Sequence, residues 1–246
     1  CWTKGFATRL NTAPLASKLA EDGIATWNIE YRQVGDPGGG WPGTFTDWAA
    51  AADHLRALAK REPLDLDRVV AIGHSAGAHA ALWLAARHKL PSSSGIRGES
   101  PLPLMAAVAI DGPGDLASLS KIDADICGKP VIAPFMGGSP DEVPERYAQG
   151  SPIELLPLGV PQYLVAVGVL TPADAAKYAE AAGHDAVQVL PVEDSSHFDV
   201  IAPGNKAWEP VRKLIIEQAF GKGVQSKRTD VVNDLLRPLW LPLDHA

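Results

Sequence analysis

The sequence predicts an α/β domain: a mostly parallel sheet with helices on both faces. Three observations carry that expectation. Short, continuously apolar runs at 68–72, 104–110 and 163–167 suit strands covered on both faces. Stretches with apolar residues at helical spacing lie between them. The 23 glycines and 21 prolines cluster between the apolar segments, as loops do when they punctuate α/β units. Alternation of this kind leads to parallel pairing through crossover helices.

The elements follow in order. Residues 15–21 read as a short helix stopped by Asp22-Gly23, and 24–31 as a strand. A loop rich in glycine and proline covers 35–43. The next helix has Thr44 or Thr46 as cap, carries Phe45, Trp48, Ala52, Leu55 and Ala59 at helical spacing, and ends at Pro63. The strand at 68–72 leads into a helix over 76–88. A polar loop over 92–103 precedes the strand 104–110. Residues 111–160 are rich in Pro and Gly and hold short helical pieces at best. A strand at 163–167, a helix at 173–182 and a strand at 187–190 come next, and an amphipathic helix over 208–220 closes the domain. The domain is therefore expected over 1–220. Residues 221–246 then form a polar linker and a new apolar segment with Leu239-Trp240-Leu241-Pro242.

Composition removes several function classes. Lys and Arg number 22 against 29 Asp and Glu, a net charge of −7. This argues against a nucleic-acid surface or a polybasic membrane patch. No apolar run reaches the ~18 residues of a membrane span. No Cys/His cluster has metal-ligand spacing, and the glycines at 35–40 lack the spacing of a phosphate loop. The two cysteines, Cys1 and Cys127, cannot make a disulfide framework, so a reducing, cytoplasmic setting is the default expectation. The chain opens on Cys1 with no charged-then-apolar leader, which reads as removal or rearrangement upstream.

Gly73-His74-Ser75-Ala76-Gly77 lies between a strand and a helix. There, Gly-x-Ser-x-Gly makes a tight, strained turn that lifts the Ser75 hydroxyl off the sheet. Side chains at either glycine are expected to collide with neighbouring backbone. The helix start offers free N–H groups and a positive dipole end, so the Ala76 N–H can hold a developing oxyanion. A serine hydroxyl needs a base. Of seven histidines, His197 alone sits in a loop after the last strand. His54, His79 and His88 lie in helices, His245 in the tail, and His184 in a helix-to-strand turn. His74 reads as a residue shaping the site.

These residues carry a resemblance. The Gly73–Gly77 motif, the loop Ser196-His197-Phe198-Asp199 and the strand end Glu30-Tyr31-Arg32 before a Gly/Pro loop resemble the α/β-hydrolase superfamily. More narrowly, they resemble the esterase branch with small carboxylesterases, feruloyl/acetyl-esterase-like proteins and kynurenine formamidases. Cys1-Trp2 is similar to the end of that branch's His-Gly-Gly-x-Trp oxyanion motif. The resemblance implies the order Ser, acid, His, an ester- or amide-cleaving activity on a small molecule, and no cofactor. It also implies a second oxyanion donor at the Cys1 N–H.

The sequence departs from the family pattern in two ways. The His-Gly-Gly before Cys1 and its strand are absent. The stretch 167–172, where the family usually carries its acid, has no carboxylate. Asp174 is the nominal acid. Asp111, at the end of the strand 104–110, is an alternative, as are Glu193 and Asp194 on the histidine loop. Trp2, Trp41 and His74 are expected in the substrate pocket. The leading expectation is a serine hydrolase of carboxylic esters, and its rivals are an aryl formamidase and an inactive, ligand-binding relative. The tail, through Leu239–Leu241, is expected to pair at the sheet edge in place of the absent first strands.

Overall fold

The computed structural model describes residues 1–221, so the expectation for Leu239–Leu241 lies outside the described residues. Four strands, β1 (Val70–His74), β2 (Ala106–Ile110), β3 (Gln162–Ala166) and β4 (Val187–Pro191), form one parallel sheet in the order β1-β2-β3-β4. Five helices position the site: α1 (Ala13–Glu21), α2 (Gly43–Asp53), α3 (Ala76–Ala86), α4 (Pro172–Ala182) and α5 (Trp208–Lys213), the last continued by a π-helical turn over Leu214–Ala219.

Side-chain alternation along the strands divides the core. On β2, Val108 and Ile110 face Leu15 and Leu19 of α1 and Trp208 and Val211 of α5. Ala107 and Ala109 face Ala78, Leu82, Ala85 and Ala86 of α3 on the other side. Successive residues of a strand point to opposite faces, and alanine against alanine lets α3 lie close to the sheet. The opposite side of α3, with Ala76, Ala80 and Trp83, packs on Phe45, Trp48 and Ala49 of α2. A helix that is apolar all round belongs inside a layered core, and this one lines the cavity from its start at Ala76 along Ala80, Ala81 and Leu84.

Three expectations are corrected here. Residues 24–31 form no strand and join no ladder, and only the single bridges Thr3 to Val34 and Val34 to Asp36 form nearby. A strand exists by its neighbour's hydrogen bonds. Between this segment and the outer edge of β1 lies a cavity of about 1020 Å³ lined by both. Side chains anchor the segment instead: Trp27 Nε1 donates to the Ala51 carbonyl at 3.0 Å and Asn28 Nδ2 to the Arg9 carbonyl at 2.9 Å. Second, α2 starts at Gly43 with Pro42 at its cap position. The buried Thr44 accepts from the Gly40 N–H and donates to the Arg32 carbonyl, tying the preceding loop down. Third, Cys1 and Cys127 form a disulfide. This removes the ground for reading them as thiols of a reducing compartment.

Candidate active site

β1 ends at His74 and α3 begins at Ala76, so Ser75 alone reverses the chain. Its backbone sits at φ 57°, ψ −119°. A non-glycine residue held there costs on the order of 1–3 kcal/mol, which the surroundings must offset. The Ser75 N–H donates to the Ile110 carbonyl at 2.9 Å, and the Ala78 N–H donates to the Ser75 carbonyl at 3.0 Å. The turn is therefore bolted to the end of β2.

The glycines around it are unequal. A Cβ on Gly73 would stand 1.8 Å from the Gly77 carbonyl oxygen, so nothing larger fits. A Cβ on Gly77 would meet nothing within 4 Å, which corrects the expectation that both motif glycines are sterically required. The second crowded position is Gly112, where a Cβ would lie 2.1 Å from the Ser75 carbonyl oxygen. Asp111-Gly112 directly after a wholly apolar strand is the sequence signal that could have found it. The Ala76 N–H has no hydrogen-bond partner among the described residues. It is an open donor at the start of a helix, beside the hydroxyl it would serve.

His197 stands in the turn after β4. Its Nδ1 lies 2.7 Å from Asp111 Oδ2, and the Asp111 side chain is fully buried. Asp111 follows β2 and is itself held at φ 44°. Its other oxygen, Oδ1, accepts from the N–H groups of Gly168 and Leu170, each at 2.9 Å, and of Val167 at 3.3 Å. Burial pushes this carboxyl up. The hydrogen bond to His197 and those from Leu170 and Gly168 outweigh that push and hold it below the ordinary aspartate value. The stretch 167–170, which the sequence reading searched for an acid, thus wraps its backbone around an acid from the neighbouring strand.

The family matches too. The chain belongs to the BD-FAE family, whose model matches residues 1–170. No curated protein matches it in sequence. Its structure is similar to a truncated carbohydrate esterase from gut microbiota (TM-score 0.70, 19% identity, 89% of this chain and 82% of that one). It is also similar to esterase B of Lactobacillus rhamnosis (TM-score 0.66, 19% identity, 87% and 71%). A third similar structure is a thermophilic esterase of the planctomycete Thermogutta terrifontis (TM-score 0.67, 19% identity, 88% and 76%). The fold is that of the α/β-hydrolases, and membership of the BD-FAE family supports hydrolysis of esters.

In this BD-FAE protein the other sequence candidates fall as follows. Asp174 does not reach the histidine. It sits in the first turn of α4, where Thr171 Oγ1 donates to its Oδ2 at 2.6 Å and Lys177 Nζ to its Oδ1 at 3.1 Å. The physical reason is local: a carboxylate three residues into a helix serves the cap and the dipole. Glu193 and Asp194 are exposed. Ser75, His197, His74, Cys1 and Trp2 all line the one cavity. No hydrogen bond joins the Ser75 hydroxyl to His197 in this structure, and such bonds are commonly loose before substrate binds. The Trp2 indole points into the core, donating from Nε1 to His79 Nδ1 at 3.2 Å. Trp41 does not line the cavity. It packs on Phe45, and its backbone N–H donates to the Phe135 carbonyl. His74 Nε2 lies 2.7 Å from the His197 carbonyl oxygen. Leu119, Ile126, Val169 and Phe198 add apolar lining to the same cavity. Among the described residues no three metal-ligating side chains come together, and no helix is long and apolar enough to cross a membrane.

Proposed function

We propose that the protein is a serine esterase that cleaves a carboxylic ester of a small substrate through an acyl-enzyme. The observation that carries this reading is the 2.7 Å pair of buried Asp111 with His197 in the cavity that Ser75 lines. An imidazole serves as base when one nitrogen is fixed as a donor and the other is left bare. Asp111 accepts a hydrogen bond from the Nδ1–H, which fixes the proton on that nitrogen, and leaves Nε2 to accept.

The Ser75 oxygen attacks the acyl carbon and its proton passes to His197 Nε2. The charge that builds on the carbonyl oxygen meets the Ala76 N–H, with the Cys1 N–H as second donor. His197 returns the proton to the leaving alcohol. Water, deprotonated by the same nitrogen, then releases the acid and restores Ser75. Asp111 replaces Asp174 as the proposed acid. With a carboxylate at the ring, the inactive, ligand-binding reading loses one of its two supports, the missing acid. The Cys1–Cys127 bond favours an oxidising compartment over the cytoplasm.

Hydrolysis of p-nitrophenyl acetate and labelling by a fluorophosphonate test this. A mass shift confined to the peptide containing Ser75, with loss of turnover, is expected. Labelling elsewhere, or turnover that survives labelling of Ser75, overturns the reading.

A further inference from the structure

His74 does something that the motif alone does not assign. It is the last residue of β1, next to the serine, and its Nε2 lies 2.7 Å from the backbone carbonyl oxygen of His197. A carbonyl only accepts, so Nε2 carries a proton and donates. The two imidazole rings are stacked with centroids 4.2 Å apart and a 39° tilt. The Phe198 ring closes on both, 5.5 Å from His74 and 5.0 Å from His197. Burial, with the charge of His197 second, pushes the His74 pKa down to about 4.

These contacts hold different degrees of freedom of His197. Asp111 grips Nδ1 and sets how the ring is turned. It does not set the height of the backbone from which the ring hangs. The other ties of the loop around His197 are local or run to β3: the Ser196 N–H donates to Asp199 Oδ2, Ser195 Oγ to the Val192 carbonyl, the Asp199 N–H to the Ser196 carbonyl, and the Val192 N–H to the Ala166 carbonyl at the end of β3. None of these reaches β1. The bond from His74 does, because His74 belongs to the strand that carries Ser75. Base and nucleophile are thereby referenced to one rigid element, a single residue apart. A neutral ring is suited to the task, since a second cation stacked on His197 would oppose the imidazolium formed when it takes the serine proton.

We propose that His74 is a positioning residue that holds the His197 backbone and ring at working distance from Ser75. This rests on the reading of His197 as the base. It predicts a loss in kcat rather than in substrate affinity, because the contact is made to the base and not to the substrate. Displacement of a reacting group by about an ångström costs on the order of 10²-fold.

The test is p-nitrophenyl acetate kinetics on His74→Leu, His74→Asn and His74→Gln, with His197→Ala alongside and Tm measured for each. His74→Leu is expected to lower kcat about 10- to 100-fold with KM within about two-fold. The Gln amide places a donor where Nε2 stood, and the Asn amide is too short. Gln is therefore expected to recover at least about a ten-fold share of the loss, and Asn little. Should the leucine variant fail to fold, the Gln–Asn comparison carries the test. The proposal is overturned if Gln and Asn are equally impaired, if kcat is untouched in Asn and Leu, or if the loss lies wholly in KM. His197→Ala separates the two readings. If it is active, the base assignment falls. If it is inactive while His74→Asn matches wild type, only the role of His74 falls.

Discussion

Asp111→Asn tests the site at its most constrained atom. Three backbone N–H groups, from Val167, Gly168 and Leu170, converge on Oδ1. They demand an acceptor, so the new amide must keep its oxygen there and turn its NH₂ toward His197 Nδ1, 2.7 Å away from the atom it replaces. Two donors cannot share that contact. Nδ1 must then accept, the proton moves to Nε2, and the base is blocked on the side facing Ser75. The wrong tautomer costs ~10⁴-fold in kcat, about 5.5 kcal/mol at about 1.4 kcal/mol per decade. The fold loses less, because the N–H bonds persist and only their charge assistance goes, on the order of 1–3 kcal/mol. The folded carboxyl is held below 3.8, its ordinary value. Its contribution to stability is therefore complete above that pH and is lost as pH falls through the lower folded value. The stability gap between wild type and variant should narrow on acidification. The assay is p-nitrophenyl acetate turnover together with thermal unfolding, and Asp174→Asn is the control, expected to stay within about two-fold of wild type. A variant that keeps more than about a tenth of wild-type kcat, or an Asp174→Asn variant that loses as much as Asp111→Asn, would refute the reasoning.

Other expectations follow from the same geometry. Ser75→Ala should lose ~10⁵–10⁶ in kcat with little change in Tm, read by turnover and by the absence of fluorophosphonate label. Gly77→Ala, with nothing within 4 Å of the new methyl, should be tolerated or gain about 0.4–1 kcal/mol. Gly112→Ala, 2.1 Å from the Ser75 carbonyl oxygen, should lower both Tm and kcat; the reverse order of the two alanines would contradict the packing. Cys127→Ser opens a bridge spanning 126 residues and should cost up to about 5 kcal/mol on loop entropy. Thermal unfolding with and without reductant measures it, and an unchanged Tm in both would remove the disulfide from the account.

What could be read from the sequence tracks what is local along the chain. Ser75 and its turn were legible because strand, motif and helix are contiguous, and His197 because loop order after β4 singles it out. Asp111 was only an alternative, because its claim depends on β2 being hydrogen-bonded beside β1 and on three N–H groups contributed from 167–170. Asp174 looked closer in chain order and is occupied by its own helix. The strand expected at 24–31 does not form, because pairing is a property of the neighbour and no ladder partner lies beside it. The partnership of Cys1 and Cys127 had no signature, since two cysteines so far apart have no spacing to read. His79 was read only by its place in a helix. It takes the Trp2 indole on one ring nitrogen and reaches the Gly150 carbonyl, 2.7 Å away, with the other.

The turn at 167–170 contributes to Asp111 through backbone alone, and this separates two kinds of variation that usually travel together. Gly168 has open space where a side chain would go, and Val169 faces the cavity. The identities of those residues are therefore free to drift and to reshape the wall that a substrate's acyl group would touch. The number of residues is not free, because one more or one fewer would swing the N–H groups off the carboxylate. A library that varies letters here at constant length would explore specificity with the acid still anchored. One that varies length would switch the catalyst off before specificity could be seen.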